Sequence, residues 1–337
     1  MPDAGVQAFL TASGWAGAMA APLAGDASGR RYLRLADATG ARAVVMIAPP
    51  APDDSTARFC TVAEHLRAMG LSAPAVHHAA PDEGLALLED FGDAVFAHVI
   101  ARDPAQETPL YAAAIDLLVT LAQRPAPADL PAPDADTLAR LTAPAAHWYL
   151  GHGTDAPDAA AQFAQTLAPA LRAVMHGPPV LAHRDFHAEN LIWLPDRAGA
   201  ARVGLLDFQD AFAGPAGYDL VSLLEDARRD LPGDERRAMM NRYATATGMP
   251  LPDLAHRLAV LGAQRNLRIL GVFARLCVHA GKPRYVDLIP RVWGHLMGDL
   301  AHPSLADLRA AVTAHLPAPT PEILQTLRSR CKTPTTL

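Results

Sequence analysis

Apolar positions recur along the chain with two periods, which divide it into a mixed first third and a helical remainder. Val6, Phe9 and Leu10, following Asp3, have the spacing of a short capped helix. Short runs at Met19 to Leu23, Tyr32 to Leu35 and Ala43 to Ile47 predict strands. Gly25 to Gly29 lies between the first two, and Asp37-Ala38-Thr39-Gly40 turns the second into the third. From Asp54 to Met69, the positions Phe59, Val62, Ala63, Leu66 and Met69 fall on one helical face. Ala75 to Ala80 and Leu85 to Leu88, joined by Pro81-Asp82-Glu83-Gly84, predict a hairpin. Helical patterns then cover Glu107 to Gln123, Thr137 to Leu150, Ala159 to Met175, Asp219 to Arg229, Pro252 to Ala280 and Pro290 to Leu300. Pro125 to Pro133, where Pro and Ala alternate, reads as a surface loop, and the tail after Pro317 carries one short amphipathic turn.

One polar cluster breaks this regularity. His183-Arg184-Asp185-Phe186-His187-Ala188-Glu189-Asn190 is followed, after an apolar stretch, by Leu205-Leu206-Asp207-Phe208-Gln209. Asp185 is placed to orient an attacking hydroxyl, while Asn190 and Asp207 supply the hard oxygen ligands that Mg²⁺ prefers when it carries nucleotide phosphates. The spacing Asp-x-x-x-x-Asn suits a short loop whose first residue faces a substrate and whose last faces a metal. The second Asp would then arrive from a strand, for which Val203-Gly204-Leu205-Leu206 is the candidate.

This pattern resembles the catalytic loop and metal-binding segment of the aminoglycoside phosphotransferase-like superfamily, relatives of the protein kinases. The resemblance implies an α+β, two-lobed protein-kinase-like fold. Residues 1–90 would form a small antiparallel-sheet lobe that binds nucleotide, and residues 91–337 a large, mainly helical lobe with the catalytic loop and substrate site. Leu87-Leu88-Glu89-Asp90-Phe91-Gly92-Asp93 would connect them, with Glu89 at the point where main-chain groups meet an adenine ring. His183 would pack the loop, and Asp219, in Gly214-Pro215-Ala216-Gly217-Tyr218-Asp219-Leu220, would hold it in shape. Asp219 equally suits an N-terminal cap of the next helix.

Protein kinases grip the nucleotide phosphates with a strand lysine paired to a helix glutamate. This chain has only two lysines, Lys282 and Lys332, and neither lies in the first lobe. The third strand reads Val44-Val45-Met46-Ile47-Ala48-Pro49-Pro50, with Ile47 where the closest branch of the superfamily commonly has Asp. Positive charge over the phosphates is therefore expected from Arg30 or Arg31, beside Ser28 in the glycine-containing loop, because a guanidinium fork matches phosphate oxygens. Glu64, on the helix where the paired glutamate would sit, is expected to face water.

Several further segments, among them Asp26 to Tyr32, Leu88-Glu89-Asp90, Asp207 to Ala211 and Gln264-Arg265-Asn266 through Leu276, resemble the bacterial anomeric kinases for N-acetylmuramate and N-acetylglucosamine of cell-wall recycling. That resemblance implies ATP as co-substrate, Mg²⁺ as cofactor and an amino sugar as acceptor. Arg265, Arg268 and Arg275 fall within about 80° of one another on a helix and could form a cationic wall for a carboxylate. His187 could line the same site. An aminoglycoside, choline or another small alcohol is the alternative acceptor, and a non-catalytic nucleotide-binding protein is the alternative from another class.

Composition narrows the partners. The 337 residues are half apolar, and the net charge of −6 offers no basic field for nucleic acid. Cys60, Cys277 and Cys331 are odd in number and far apart in sequence, which argues against a disulfide framework and for a reducing, cytoplasmic setting. The uncharged stretch Gly14 to Gly25 has no basic residue before it and is too short and too broken by Gly and Pro to span a bilayer, so neither signal peptide nor membrane helix is expected.

Overall fold

A computed structural model describes residues 4–23, 29–49, 55–153 and 155–332. It has the expected α+β architecture. Helix α1 (Ala4–Ala12) precedes strands β1 (Met19–Leu23), β2 (Arg31–Ala36) and β3 (Arg42–Ile47), and then come helix α2 (Ser55–Ala68) and strands β4 (Val76–Ala80) and β5 (Leu85–Glu89). The five strands form one sheet in the order β1-β2-β3-β5-β4, antiparallel throughout. A mainly helical remainder follows, with its longest helix at Leu251–Val278.

The chain divides into two compact units. One contains Met1–Leu117 with His183–Ala211, and the other Leu118–Ala182 with Phe212–Leu337. In the first, α1 sets Val6, Phe9 and Leu10 against Leu35, Ala43, Val45, Leu85 and Leu87. Leu33 and Ile47 pack against the same cluster. Because strand side chains alternate, Tyr32, Arg34, Val44 and Met46 stand on the opposite face. Ile47 lies on the same apolar face, half-buried beside the α1 cluster and directly across the ladder from Arg31.

In the second unit, Val180–Ala182 pairs with Phe212–Gly214, and helices pack around Leu251–Val278. Several elements differ from the periodicity. The helix expected over Thr137 to Leu150 is interrupted into Ala135–Arg140 and a π-helical turn, Ala145–Leu150. Pro144, which has no N–H to give, stands at the break. The helix expected from Asp219 to Arg229 stops at Leu224. Gly233–Thr247 is a helix that apolar periodicity does not reveal, since it buries only Met239, Tyr243 and Ala244. The expected turn after Pro317 is a nine-residue helix, Pro321–Ser329, with Thr320 as its cap. Folding also brings two of the distant cysteines together. All three are free thiols, but Cys331 Sγ donates to the Cys277 carbonyl at 3.1 Å. Among the described residues, no helix is long and apolar enough to cross a membrane.

Candidate active site

The polar cluster at His183 to Asn190 forms a loop leading into a two-stranded hairpin, Leu191–Trp193 with Val203–Leu205. The hairpin is tied to its own compact unit by Leu205 N–H donating to Ser72 O at 2.7 Å, and the loop by Ala97 N–H donating to Ala188 O at 3.0 Å. Gly204 has no side chain because Phe91 leaves no room for one: a Cβ would stand 2.9 Å from its ring. Asp207 follows directly from the second strand. The sequence spacing therefore carries the second acid to the loop through one hairpin.

Inside the loop, Asn190 closes the turn. Its main-chain N–H donates to His187 O at 2.8 Å, and its side-chain Nδ2 donates to the Asp185 carbonyl at 2.9 Å. The same Nδ2 lies 3.3 Å from His187 Nε2. With Nδ2 committed to the loop, Oδ1 is the atom that can turn to a cation. Leu206 N–H donates to Asn190 O at 3.0 Å, which sets Asp207 one residue from the asparagine's own backbone. His183 is fully buried, its ring edge-on to Phe186 and Phe208, while Phe208 stacks on Phe59 of α2. His187 is buried as well, and Asp185 is half-buried.

Two non-glycine residues of this segment, Arg184 at φ +81° and Asp207 at φ +60°, occupy the left-handed region. Residues other than glycine rarely adopt it, and such positions concentrate where a site needs a fixed side-chain direction. Gln209 Nε2 donates to Asp207 Oδ1 at 2.8 Å, and Arg30 Nη1 lies 3.6 Å from the same oxygen. Arg30 is buried, whereas Arg31 is exposed. Ser28 lies outside the described residues. Glu64 is exposed, as expected.

The segment from Glu89 to Asp93 is held by Arg34 and Arg197, which the sequence reading did not single out. Arg34 donates to both Asp93 oxygens at 2.8 and 2.9 Å, to Asp90 Oδ1 at 3.0 Å and to the Gly92 carbonyl at 3.2 Å. The signal for it was alternation, since Arg34 shares a strand face with Arg30 two pairs away. The Glu89 carboxylate accepts from Arg197 Nη2 at 2.5 Å and from Ala75 N–H at 3.1 Å. Arg197 also donates to Ser72 Oγ at 2.6 Å and lies over the Phe91 ring. Nothing in the sequence pairs Arg197 with Glu89, because 108 residues separate them.

The remaining predicted residues belong to the other compact unit. Asp219 is buried in the first turn of Tyr218–Leu224, after Gly217 at φ +99°. On Leu251–Val278, Arg265 is buried, Arg268 half-buried and Arg275 exposed, so the three guanidinium groups meet different surroundings. Among the described residues, no three His, Cys, Asp or Glu side chains converge on a metal-sized site. Asn190 and Asp207 are instead a two-residue oxygen set of the kind that could share a hard cation with phosphates.

The sequence matches the APH phosphotransferase enzyme family over residues 20–256. The chain belongs to the phosphotransferase enzyme family. Within it, the chain is 39% identical to an N-acetylmuramate/N-acetylglucosamine kinase of Caulobacter vibrioides, over 94% of this chain and 98% of that protein. A protein of the same name from Pseudomonas aeruginosa is 32% identical, over 91% and 92%. Among solved structures, aminoglycoside phosphotransferase APH(4)-Ia, in a ternary complex with ADP and hygromycin B, superposes with a TM-score of 0.56. It covers 92% of this chain and 98% of its own at 15% identity, a likeness of fold. This phosphotransferase thus combines the five-stranded sheet and the His183 to Asp207 segment in one compact unit.

Proposed function

We propose that the protein transfers the γ-phosphoryl group of ATP to the anomeric hydroxyl of N-acetylmuramate or N-acetylglucosamine, in cell-wall recycling in the cytoplasm. The observation that carries the reaction class is the loop in which Asn190 is bonded to Asp185 and joined through Leu206 to Asp207. The sugar is supported by relatives of that name at 39% and 32% identity over nearly the whole chain. Residues 1–90 serve as the nucleotide lobe, and residues 91–337 contribute the catalytic loop and the acceptor site.

The Asp185 carboxylate accepts a hydrogen bond from the acceptor hydroxyl and takes its proton as the new O–P bond forms. The bond between the γ-phosphorus and the bridging oxygen breaks, and that oxygen leaves with ADP. Asn190 Oδ1 and the Asp207 carboxylate hold Mg²⁺, which when bound neutralises charge on the phosphates. Arg30 or Arg31 supplies the positive charge that a strand lysine would give, with Ser28 beside it. Glu89 serves the nucleotide through its main chain. His183 and Asp219 support the loop, while His187, Arg265, Arg268 and Arg275 are candidates to meet the acceptor. Positioning and charge neutralisation supply most of the rate.

The test is to incubate the protein with Mg-ATP and N-acetylmuramate, N-acetylglucosamine, kanamycin or choline, and to follow phosphate transfer by mass spectrometry. Transfer to the amino sugars is expected. Transfer to kanamycin or choline alone overturns the acceptor, and nucleotide binding with no transfer overturns catalysis.

A further inference from the structure

Arg30 is buried in an unusual state. Its side chain is 5% exposed, yet Nε and Nη1 have no hydrogen-bond partner among the described residues. Its recorded ion-pair partner is Asp207 Oδ1, at 3.6 Å from Nη1, close enough for charge compensation but too long for a hydrogen bond. A buried guanidinium normally makes its hydrogen bonds, because each unmade one forfeits hydration without replacement. The two idle donors call for an anion with several acceptor oxygens.

Asp207 is constrained from the other side. It stands at φ +60°, and Gln209, itself buried, donates to its Oδ1 at 2.8 Å. One carboxylate oxygen therefore receives both a fixed amide and an incompletely bonded cation. Strand geometry separates Arg30 from its neighbour. Arg30 precedes β2 on the face shared by Tyr32 and Arg34, whereas Arg31 is exposed on the face of Leu33 and Leu35, against which α1 packs.

We infer that Arg30 is an exchange residue: without nucleotide it neutralises Asp207, and when the metal–nucleotide arrives it gives up Asp207 and donates Nε and Nη1 to phosphate oxygens. Gln209 is the positioning residue that keeps Asp207 aimed during the exchange. This rests on the kinase reading above. It adds that Arg30, and not Arg31, replaces the missing lysine, and that the same side chain suppresses metal binding until phosphates are present. The physical reason is competition, since Arg30 and a divalent cation both draw on the Asp207 carboxylate, and only phosphate gives Arg30 an equivalent partner.

The experiment uses the full chain and Mn²⁺ as the probe. Free Mn²⁺ is followed by electron paramagnetic resonance in the absence of nucleotide, and Mg-ADP binding by calorimetry, for wild type, R30M, R30K, R31M and Q209L. R30M is expected to bind Mn²⁺ alone roughly tenfold more tightly and Mg-ADP roughly tenfold or more weakly. R30K should fall between R30M and wild type, R31M should leave both within about twofold, and Q209L should weaken Mn²⁺ binding with and without nucleotide. If R30M does not fold, R30Q carries the same expectation. A folded charge-removing variant with both affinities unchanged, or with both weakened together, overturns the exchange, as does R31M reproducing the pattern of R30M. Wild-type protein that binds no Mg-ADP refutes instead the kinase reading on which the exchange depends.

Discussion

The Asn190 side-chain amide donates to the Asp185 main-chain carbonyl at 2.9 Å, binding the last residue of the Asp-x-x-x-x-Asn segment to the first. The bond fixes the loop without using the Asp185 carboxylate, the group that the proposed mechanism turns to the acceptor. Asp185→Asn should therefore keep the loop and the affinity for Mg-ADP while lowering turnover by about two to four orders of magnitude. Steady-state kinetics with the amino sugars, beside calorimetry with ADP, checks this. Unchanged turnover removes Asp185 from the reaction.

Glu89 illustrates a residue whose side chain serves the scaffold. Its carboxylate holds Arg197 and the Ala75 N–H, and Arg197 in turn holds Ser72. Glu89→Ala is expected to cost about 1–3 kcal/mol of stability by leaving those donors unpaired. Mg-ADP affinity should change little while the protein is folded, because in the proposed site the nucleotide meets the main chain at Glu89 and its carboxylate is engaged by Arg197. Urea unfolding and calorimetry separate the two effects.

A carboxyl pair in the helical unit predicts a pH dependence of stability. Asn266 Nδ2 donates to Glu225 Oε2 at 2.7 Å and to Asp299 Oδ2 at 2.9 Å, and Arg236 bonds Glu225 Oε1 at 2.5 Å. Burial, and next the neighbouring Glu225 charge, push the Asp299 carboxyl well above the ordinary carboxylate range. A raised acid binds its proton more tightly folded than unfolded, so stability falls as pH rises from the unfolded value near 4 through the folded value. Asp299→Asn mimics the protonated form. Its melting temperature should exceed that of wild type at pH 8, and the difference should shrink as pH falls towards 4; a difference independent of pH would show that Asp299 does not titrate this way.

Two glycines separate packing from backbone effects. In Leu251–Val278, a Cβ on Gly271 would fall 2.0 Å from the Pro144 carbonyl carbon, so Gly271→Ala must push two helical segments apart and should destabilise by about 1–3 kcal/mol or more. At Gly294, in Ile289–Asp299, a Cβ would meet nothing within 4 Å, and Gly294→Ala should stabilise by about 0.4–1 kcal/mol. Opposite shifts in urea midpoint are the expected result.

The legible part of the molecule was the part whose signal is local. Strand alternation placed β1 to β5 nearly residue for residue, and helical spacing found Leu251–Val278. Gly233–Thr247 escaped because a helix with three buried residues has almost no apolar stripe to read. The break at Leu141 to Pro144 escaped because the apolar pattern runs on through it, although Pro144 was there to be noticed. The contact of Cys277 with Cys331, which are far apart in sequence, was not legible because it depends on how the last helix lies against the longest one.

The sequence alone determined the chemistry on offer: an Asp and an Asn five apart in one loop, a second Asp one hairpin later, and no lysine before Lys282 to accompany them. Those are properties of residue type and short spacing, which a chain carries before it folds. Tertiary structure decided which side chains meet. It put Arg30 at 3.6 Å from Asp207, 177 positions further along the chain, buried it with two donors idle, and left Arg31 exposed. The physical reason is the two-residue period of a strand: adjacent arginines point to opposite faces, and only the fold settles which face meets Asp207 and which stays open to solvent.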